Sequence, residues 1–137
     1  MFFNKKEIKE KNSYLIKIAA LLVHAAKIDE KYTNKEEEII MKTLLDLGAN
    51  ENELNKLMID AKNLEGESNQ ILDFTREIKN LNEDSKIKIV EVLWNIIYSD
   101  NNPDIYENSL MRRLTGLLYL SPKIVGDLKE KVKNNLK

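Results

Sequence analysis

Residues 22–47 read LVHAAKIDEKYTNKEEEIIMKTLLDL, and the same chemical pattern returns 71 residues later, where residues 93–118 read LWNIIYSDNNPDIYENSLMRRLTGLL. Within these two stretches, identical residues coincide at four positions: Leu22 with Leu93, Asp29 with Asp100, Glu36 with Glu107, and Leu47 with Leu118. Each copy therefore predicts an apolar helix, an aspartate, six intervening residues, a glutamate and a second apolar helix. Two such helix–acidic loop–helix units are expected to pack about a pseudo-two-fold axis.

The remainder of the chain also predicts helices. Apolar residues recur at helical spacing in seven segments, and no segment shows the alternation that is typical of a strand. Capping residues mark the helix starts: Thr33 with Glu36, Ser68, Asn82, and Ser121 before Pro122. Gly48 suits the C-terminal end of a helix. We predict an all-α fold of about seven short helices in a single domain over residues 1–137, with its core at about 13–131.

Composition excludes several classes of chemistry. The chain has no cysteine and one histidine, which argues against thiol catalysis, zinc–thiolate sites and histidine-based triads. The net charge of −1 combines +2 in residues 1–12, −6 in residues 13–122 and +3 in residues 123–137. Basic ends on an acidic body do not form the broad basic face that nucleic acids require, and they favour at most a weak peripheral contact with a membrane.

The N-terminal region imitates a signal peptide. Lysines precede an apolar stretch from Tyr14 to Ala26. However, Glu7 and Glu10 lie in the basic part, Lys17 interrupts the apolar part, and the stretch is too short to span a bilayer. We interpret it as a buried helix of a cytoplasmic protein.

The acidic loops between the paired helices are the candidate functional sites. In each copy the aspartate ends one helix and the glutamate begins the next, so both carboxylates lie beside one short loop that suits Ca²⁺ or Mg²⁺. In the second loop, oxygen-bearing side chains alternate as at the start of an EF-hand, but Ile105 and Met111 replace the later glycine and glutamate. The candidate metal ligands are Asp100, Asn102, Asp104 and Glu107, and secondly Asp29 and Glu36.

Helix capping explains part of this pattern without a metal. Glu36 and Glu107 lie where capping-box glutamates occur, three residues after Thr33 and Asp104. Capping does not explain an aspartate at the C-terminal end of the first helix of each copy, where the helix dipole disfavours an anion. The alternative is a metal-free interaction adaptor that uses its acidic surface or apolar N-terminus, whereas a metal-dependent hydrolase would need an open coordination position and a cleft.

Three segments resemble the TerB family, the helical domain associated with tellurite resistance. They are residues 20–48, the phrase LDFTR at residues 72–76, and residues 90–118, and the resemblance extends from about Ser13 to Lys131. The chain is also similar to the N-terminal domain of a membrane-anchored DnaJ-type co-chaperone. The family repeats an Ala-x-x-Asp-Gly loop in both halves, here matched by Ala26 to Asp29 and by Ile97 to Asp100.

The resemblance implies a non-enzymatic, all-helical module with an acidic cluster for a divalent metal such as Ca²⁺, Mg²⁺ or Mn²⁺. It also implies a protein partner, of no stated identity, in a stress-response complex. Glu30 and Asn101 replace the family's glycines. Since asparagine tolerates a left-handed backbone better than glutamate does, the second loop is the stronger candidate.

Overall fold

The computed structural model describes the backbone of residues 5–27, 33–68, 71–98 and 105–135, and the side chains of the same ranges except residues 5–11 and 105–107. Within these ranges the chain forms seven α-helices, one short 3-10 turn at Glu51–Glu53, and no strand. The helices are α1 (Lys5–Lys27), α2 (Asn34–Asp46), α3 (Leu54–Glu67), α4 (Leu72–Ile78), α5 (Glu83–Ile97), α6 (Ile105–Leu117) and α7 (Pro122–Asn135). The predicted all-α class is confirmed.

Helix α1 is the centre of the fold. It packs against α2, α3, α4 and α5. Four consecutive residues, from Ala19 to Leu22, are completely buried, so this part of α1 is covered on every side. The interpretation of the apolar stretch as a buried helix is therefore confirmed. In the described part of the chain, no helix has both the length and the apolarity that crossing a membrane requires.

Three of the predicted helix starts are confirmed by side-chain hydrogen bonds. Thr33 and Glu36 form the full capping box of α2. Asn82 Oδ1 accepts from the Ser85 amide at 2.8 Å at the start of α5, and Ser121 Oγ accepts from the Lys123 amide at 3.2 Å at the start of α7. A local capping pattern therefore fixes each of these starts.

The predicted start of the fourth helix at Ser68 is wrong. Helix α4 begins at Leu72, and the Ser68 hydroxyl instead donates to the Leu64 carbonyl oxygen at 2.7 Å. Ser68 therefore follows the last turn of α3, because a serine hydroxyl can bond back to a carbonyl four residues earlier as readily as it caps a new helix.

Helices α2 and α6 end in the same way. Their bounds coincide at the 71-residue offset, and each is followed by a residue with positive φ, Gly48 at 104° and Tyr119 at 56°. The Ala49 amide donates to the Leu44 carbonyl at 2.8 Å, and the Leu120 amide donates to Thr115 at 3.1 Å. Both ends are thus Schellman motifs, which satisfy carbonyls of the last helical turn. The pseudo-two-fold axis itself stays a prediction.

Two buried side chains of α5 donate hydrogen bonds to backbone carbonyls of neighbouring helices or helix ends. Lys86 on α5 is only 9% exposed, and its ammonium donates to the Lys79 carbonyl at 3.2 Å and to the Leu118 carbonyl at 3.0 Å. It therefore joins the C-terminal ends of α4 and α6. Trp94 on α5 donates its indole N–H to the Val125 carbonyl of α7 at 3.1 Å.

Candidate metal centre at the acidic loops

Only one predicted ligand has a described side chain. Asp29 in the first loop lies outside the described residues, as do Asp100, Asn102 and Asp104 in the second loop. Glu107 is the third residue of α6, and its side chain also lies outside the described part. The remaining candidate, Glu36, belongs to the first turn of α2.

The Glu36 carboxylate is buried and oriented by its own helix. The residue is 5% exposed, and its Oε1 accepts hydrogen bonds from the Thr33 amide and the Thr33 hydroxyl, each at 2.9 Å. In return, Thr33 Oγ1 accepts from the Glu36 amide at 3.1 Å. A negative charge at this helix end is favoured by the helix dipole. The capping role of Glu36 is therefore confirmed, and its role as a metal ligand stays a prediction.

Basic groups of the protein lie beside the helix ends that flank the first loop. Lys27, the last residue of α1, pairs with Glu65 at 2.8 Å, and His24 Nδ1 lies 3.4 Å from the other oxygen of the same carboxylate. Lys62 on α3 pairs with Glu37 in the first turn of α2. The first loop therefore begins and ends next to carboxylates that already hold ammonium groups.

No pattern in the sequence predicts the contacts of Glu65. Glu65 is 41 residues from His24 and 38 from Lys27, and its side chain is only 11% exposed. Spacing rules for side-chain pairs apply within one helix, over three or four residues. Only the packing of α3 on α1 brings these groups together.

The end of α5, which leads into the second loop, is apolar and aromatic. Ile97 is completely buried, and the Tyr98 ring lies 6.1 Å from the Trp94 ring. Burial raises the pKa of the Tyr98 hydroxyl, and the nearby Glu130 carboxylate raises it further. Tyr98 is therefore neutral at physiological pH. Within the described part of the chain, the packed residues Ile97 and Tyr98 at this end of α5 have no counterpart of the ion pairs that surround Lys27.

The donor set of residues 100–107 fits a hard divalent cation. Asp100, Asp104 and Glu107 carry carboxylates and Asn102 an amide oxygen, which are the ligands that Ca²⁺, Mg²⁺ and Mn²⁺ prefer. Among the side chains that the structure describes, no group of three His, Asp or Glu residues is placed to hold a metal ion. Cation binding by residues 100–107, which lie mostly outside the described residues, therefore stays a prediction.

The comparison with known families covers both acidic loops. The sequence model of the family described as tellurite resistance protein TerB matches residues 15–130. The chain belongs to the TerB family. No curated protein and no solved structure matches this TerB-family chain. The predicted family is confirmed, whereas the similarity to the DnaJ-type co-chaperone stays a prediction.

Proposed function

We propose that this TerB-family protein is a non-enzymatic cytoplasmic module that binds a divalent cation at its second acidic loop and acts in a stress-related protein complex. The observation that carries this proposal is the order of oxygen donors after α5. Asp100, Asn102 and Asp104 alternate along the loop, and Glu107 follows in the first turn of α6. A cation held by these four residues would link the end of α5 to the start of α6.

Helix electrostatics support a cation at this position. Asp100 follows the C-terminal end of α5, where the helix dipole disfavours an anion by about 0.3–1 kcal/mol. A bound Ca²⁺, Mg²⁺ or Mn²⁺ would reverse this penalty. The absence of cysteine leaves oxygen atoms as the main metal ligands of the chain, and oxygen ligands favour these hard ions.

The first loop is the weaker candidate for a cation. Its two proposed ligands are Asp29 and Glu36, and the Glu36 carboxylate already accepts two hydrogen bonds from Thr33. Lys27 ends α1, and Lys62 of α3 pairs with Glu37 in the first turn of α2, so both ammonium groups lie beside the helix ends that flank this loop. Their ammonium groups would repel an incoming divalent ion, so we expect this loop to bind it less tightly or not at all.

A metal-free adaptor is the second candidate. The capping box at Glu36 favours it, because it gives the acidic residue at the repeat position a purely structural task. The adaptor would dock a protein partner through the acidic surface or the apolar N-terminus.

Thermal melting of metal-stripped protein separates the two candidates. We would compare the wild type, Asp100→Asn, Glu107→Gln and the matched control Glu38→Gln, which alters an exposed acid on α2. The ions are Ca²⁺, Mg²⁺, Mn²⁺ and Zn²⁺. An ion at 100 times its Kd stabilises the folded state by about 2.7 kcal/mol.

The proposal expects the melting temperature of the wild type and of Glu38→Gln to rise with at least one ion. It expects Asp100→Asn and Glu107→Gln to lose this rise. If no ion raises the melting temperature of the wild type, the cation proposal fails and the metal-free adaptor remains. A rise that all four proteins share would place the ion away from the second loop.

A further inference from the structure

A groove of about 420 Å³ lies between α2 and α5. One stripe of each helix forms its walls, with Lys35, Ile39, Lys42 and Asp46 on α2 and Lys88 and Val92 on α5. Spacings of three and four residues place each set on a single helix face. Asp46 at the end of α2 pairs with Lys88 near the start of α5 at 3.5 Å, so the two helices run in opposite directions along the groove.

The floor of this α2–α5 groove is apolar. Val92 is buried and Ile39 is half-buried between the two helices. The Thr43 hydroxyl also faces the groove but donates to the Ile39 carbonyl at 2.8 Å. The floor therefore suits an apolar side chain of an occupant.

Within the described residues, the uncompensated charge of the α2–α5 groove is positive. Its two carboxylates are paired, Asp46 with Lys88 at 3.5 Å and Glu91 with Lys131 of α7 at 3.2 Å. Lys35 and Lys42 are exposed and make no ion pair or hydrogen bond within the described residues. They are seven residues apart on one helix face, about 10 Å along the helix axis. This positive pair contrasts with the net charge of −6 that residues 13–122 carry.

Lys35 is not explained by the stability of its own helix. It is the second residue of α2, where the helix dipole favours acidic side chains and disfavours a cation. Its neighbours Glu36 and Glu37 follow the favoured pattern. A lysine at this position that has no ion-pair partner among the residues that the structure describes therefore suggests recruitment by a negatively charged occupant of the adjoining groove.

We propose that the α2–α5 groove docks an acidic amphipathic helix of a protein partner. An apolar side chain of that helix would contact Ile39 and Val92, and two carboxylates about two turns apart would face Lys35 and Lys42. Seating an amphipathic helix in an apolar groove is a recurrent mode of peptide recognition. Charge complementarity selects an acidic helix, and the proposal stands whether or not a cation binds at the acidic loops.

A designed peptide tests this docking mode. The probe is a fluorescein-labelled, capped peptide of about 15 residues, rich in alanine and glutamine, with a central pair of leucines between two glutamates two turns apart. A matched peptide carries lysines in place of the glutamates. Fluorescence anisotropy measures binding to the wild type, to the double variant Lys35→Gln/Lys42→Gln, and to the control double variant Lys56→Gln/Lys123→Gln, which removes exposed lysines of α3 and α7.

The proposal predicts that the acidic peptide binds the wild type and the control variant equally and the groove variant about tenfold more weakly. The lysine peptide should bind the wild type poorly and should bind Lys35→Glu/Lys42→Glu better than the wild type. Urea unfolding checks that the variants remain folded, and Lys35→Gln should lose no stability. Amide chemical shifts should change along α2 and α5 when the acidic peptide is added.

Several outcomes would overturn the proposal. These are no binding of the acidic peptide, equal affinity for the groove variant, equal affinity for the two peptides, or shift changes confined to other helices. Decanoate that binds the groove when the peptide does not would make it a site for small carboxylates. Self-association that the groove variant abolishes would make it an interface between copies of this chain.

Discussion

The two helix–loop–helix copies, α1–α2 and α5–α6, share their spacing but differ in the chemistry around their loops. At the first loop, Glu36 is bonded to Thr33 and Lys27 is bonded to Glu65, so the protein's own donors already occupy the described carboxylates. The second loop carries more oxygen donors and begins directly after the buried Tyr98. This difference is the reason that we propose the second loop, rather than the first, as the site of the cation.

The C-terminal ends of α2 and α6 also differ in residue type, while their backbone conformation is the same. Gly48 and Tyr119 occupy equivalent positions with positive φ after α2 and α6. Glycine adopts this conformation at little cost, whereas tyrosine does so with strain. Tyr119 is 73% exposed, and Lys79 lies 5.6 Å from the centre of its ring. The two helix ends thus share their hydrogen bonds although their residue types differ.

The largest effect is expected from the buried lysine of the second copy. Lys86→Met should lower the free energy of unfolding by about 2–4 kcal/mol, because two carbonyls lose hydrogen bonds worth about 1.5–3 kcal/mol each and burial of the apolar methionine offsets part of that loss. The control Lys88→Met removes an exposed ion pair and should cost under about 1 kcal/mol. Urea unfolding measures both, and equal losses would contradict the role of Lys86 as a link between α4 and α6.

The two Schellman ends should respond to substitution with opposite signs. Gly48→Ala should destabilise the fold by about 1–2 kcal/mol, because alanine adopts a left-handed backbone at that cost. Tyr119→Gly should stabilise it by less than about 1 kcal/mol, since relief of strain is partly offset by loss of the Lys79 contact. Thermal unfolding compares them, and a large loss in Tyr119→Gly would mean that the tyrosine side chain contributes packing beyond that contact.

The capping box beside the first loop can be tested for a role in stability that does not involve a metal. Thr33→Ala should lower the free energy of unfolding by about 1 kcal/mol through loss of the capping box. If the cation occupies the second loop, this variant should keep the full rise in melting temperature that the best ion gives the wild type. A variant that unfolds earlier and also loses the response to the ion would connect the first loop to the metal.

The smallest effect concerns alkaline pH. Because burial raises the pKa of Tyr98 above 10.0, the folded state keeps this proton at a pH where the unfolded state has lost it. The contribution of Tyr98 to stability is therefore complete below about pH 10 and declines as the pH rises above it. Between about pH 9 and about pH 11, the free energy of unfolding of Tyr98→Phe should decline less steeply with pH than that of the wild type. Identical slopes for the two proteins would contradict the burial of the hydroxyl.

Local hydrogen bonding made much of the fold predictable. The Thr33 capping box, the Asn82 cap and the Gly48 helix end each involve residues within a few positions of one another, so the sequence carries them directly. The predicted helix start at Ser68 is wrong because a serine hydroxyl can bond either to a later backbone amide or to an earlier carbonyl oxygen. The family was also predictable, since the repeated acidic pattern extends over the matched region.

Long-range contacts were not predictable. Glu65 meets His24 across 41 residues, and Lys86 meets the Leu118 carbonyl across 32. These contacts depend on how whole helices pack, and no spacing rule within one helix contains that information. Of the candidate metal ligands, the sequence correctly indicated the capping task of Glu36, while cation binding at Asp100 and its neighbours stays a prediction.

Paramagnetic broadening by Mn²⁺ tests the central claim most directly, because it both detects the ion and locates it. Amide spectra of the metal-stripped protein would be recorded during a Mn²⁺ titration, for the wild type and for Asp100→Asn. We predict that broadening starts at residues 98–107, saturates at one ion per chain, and disappears in Asp100→Asn. Broadening centred on residues 27–37, or spread evenly over the acidic surface, would contradict the assignment of the cation to the second loop.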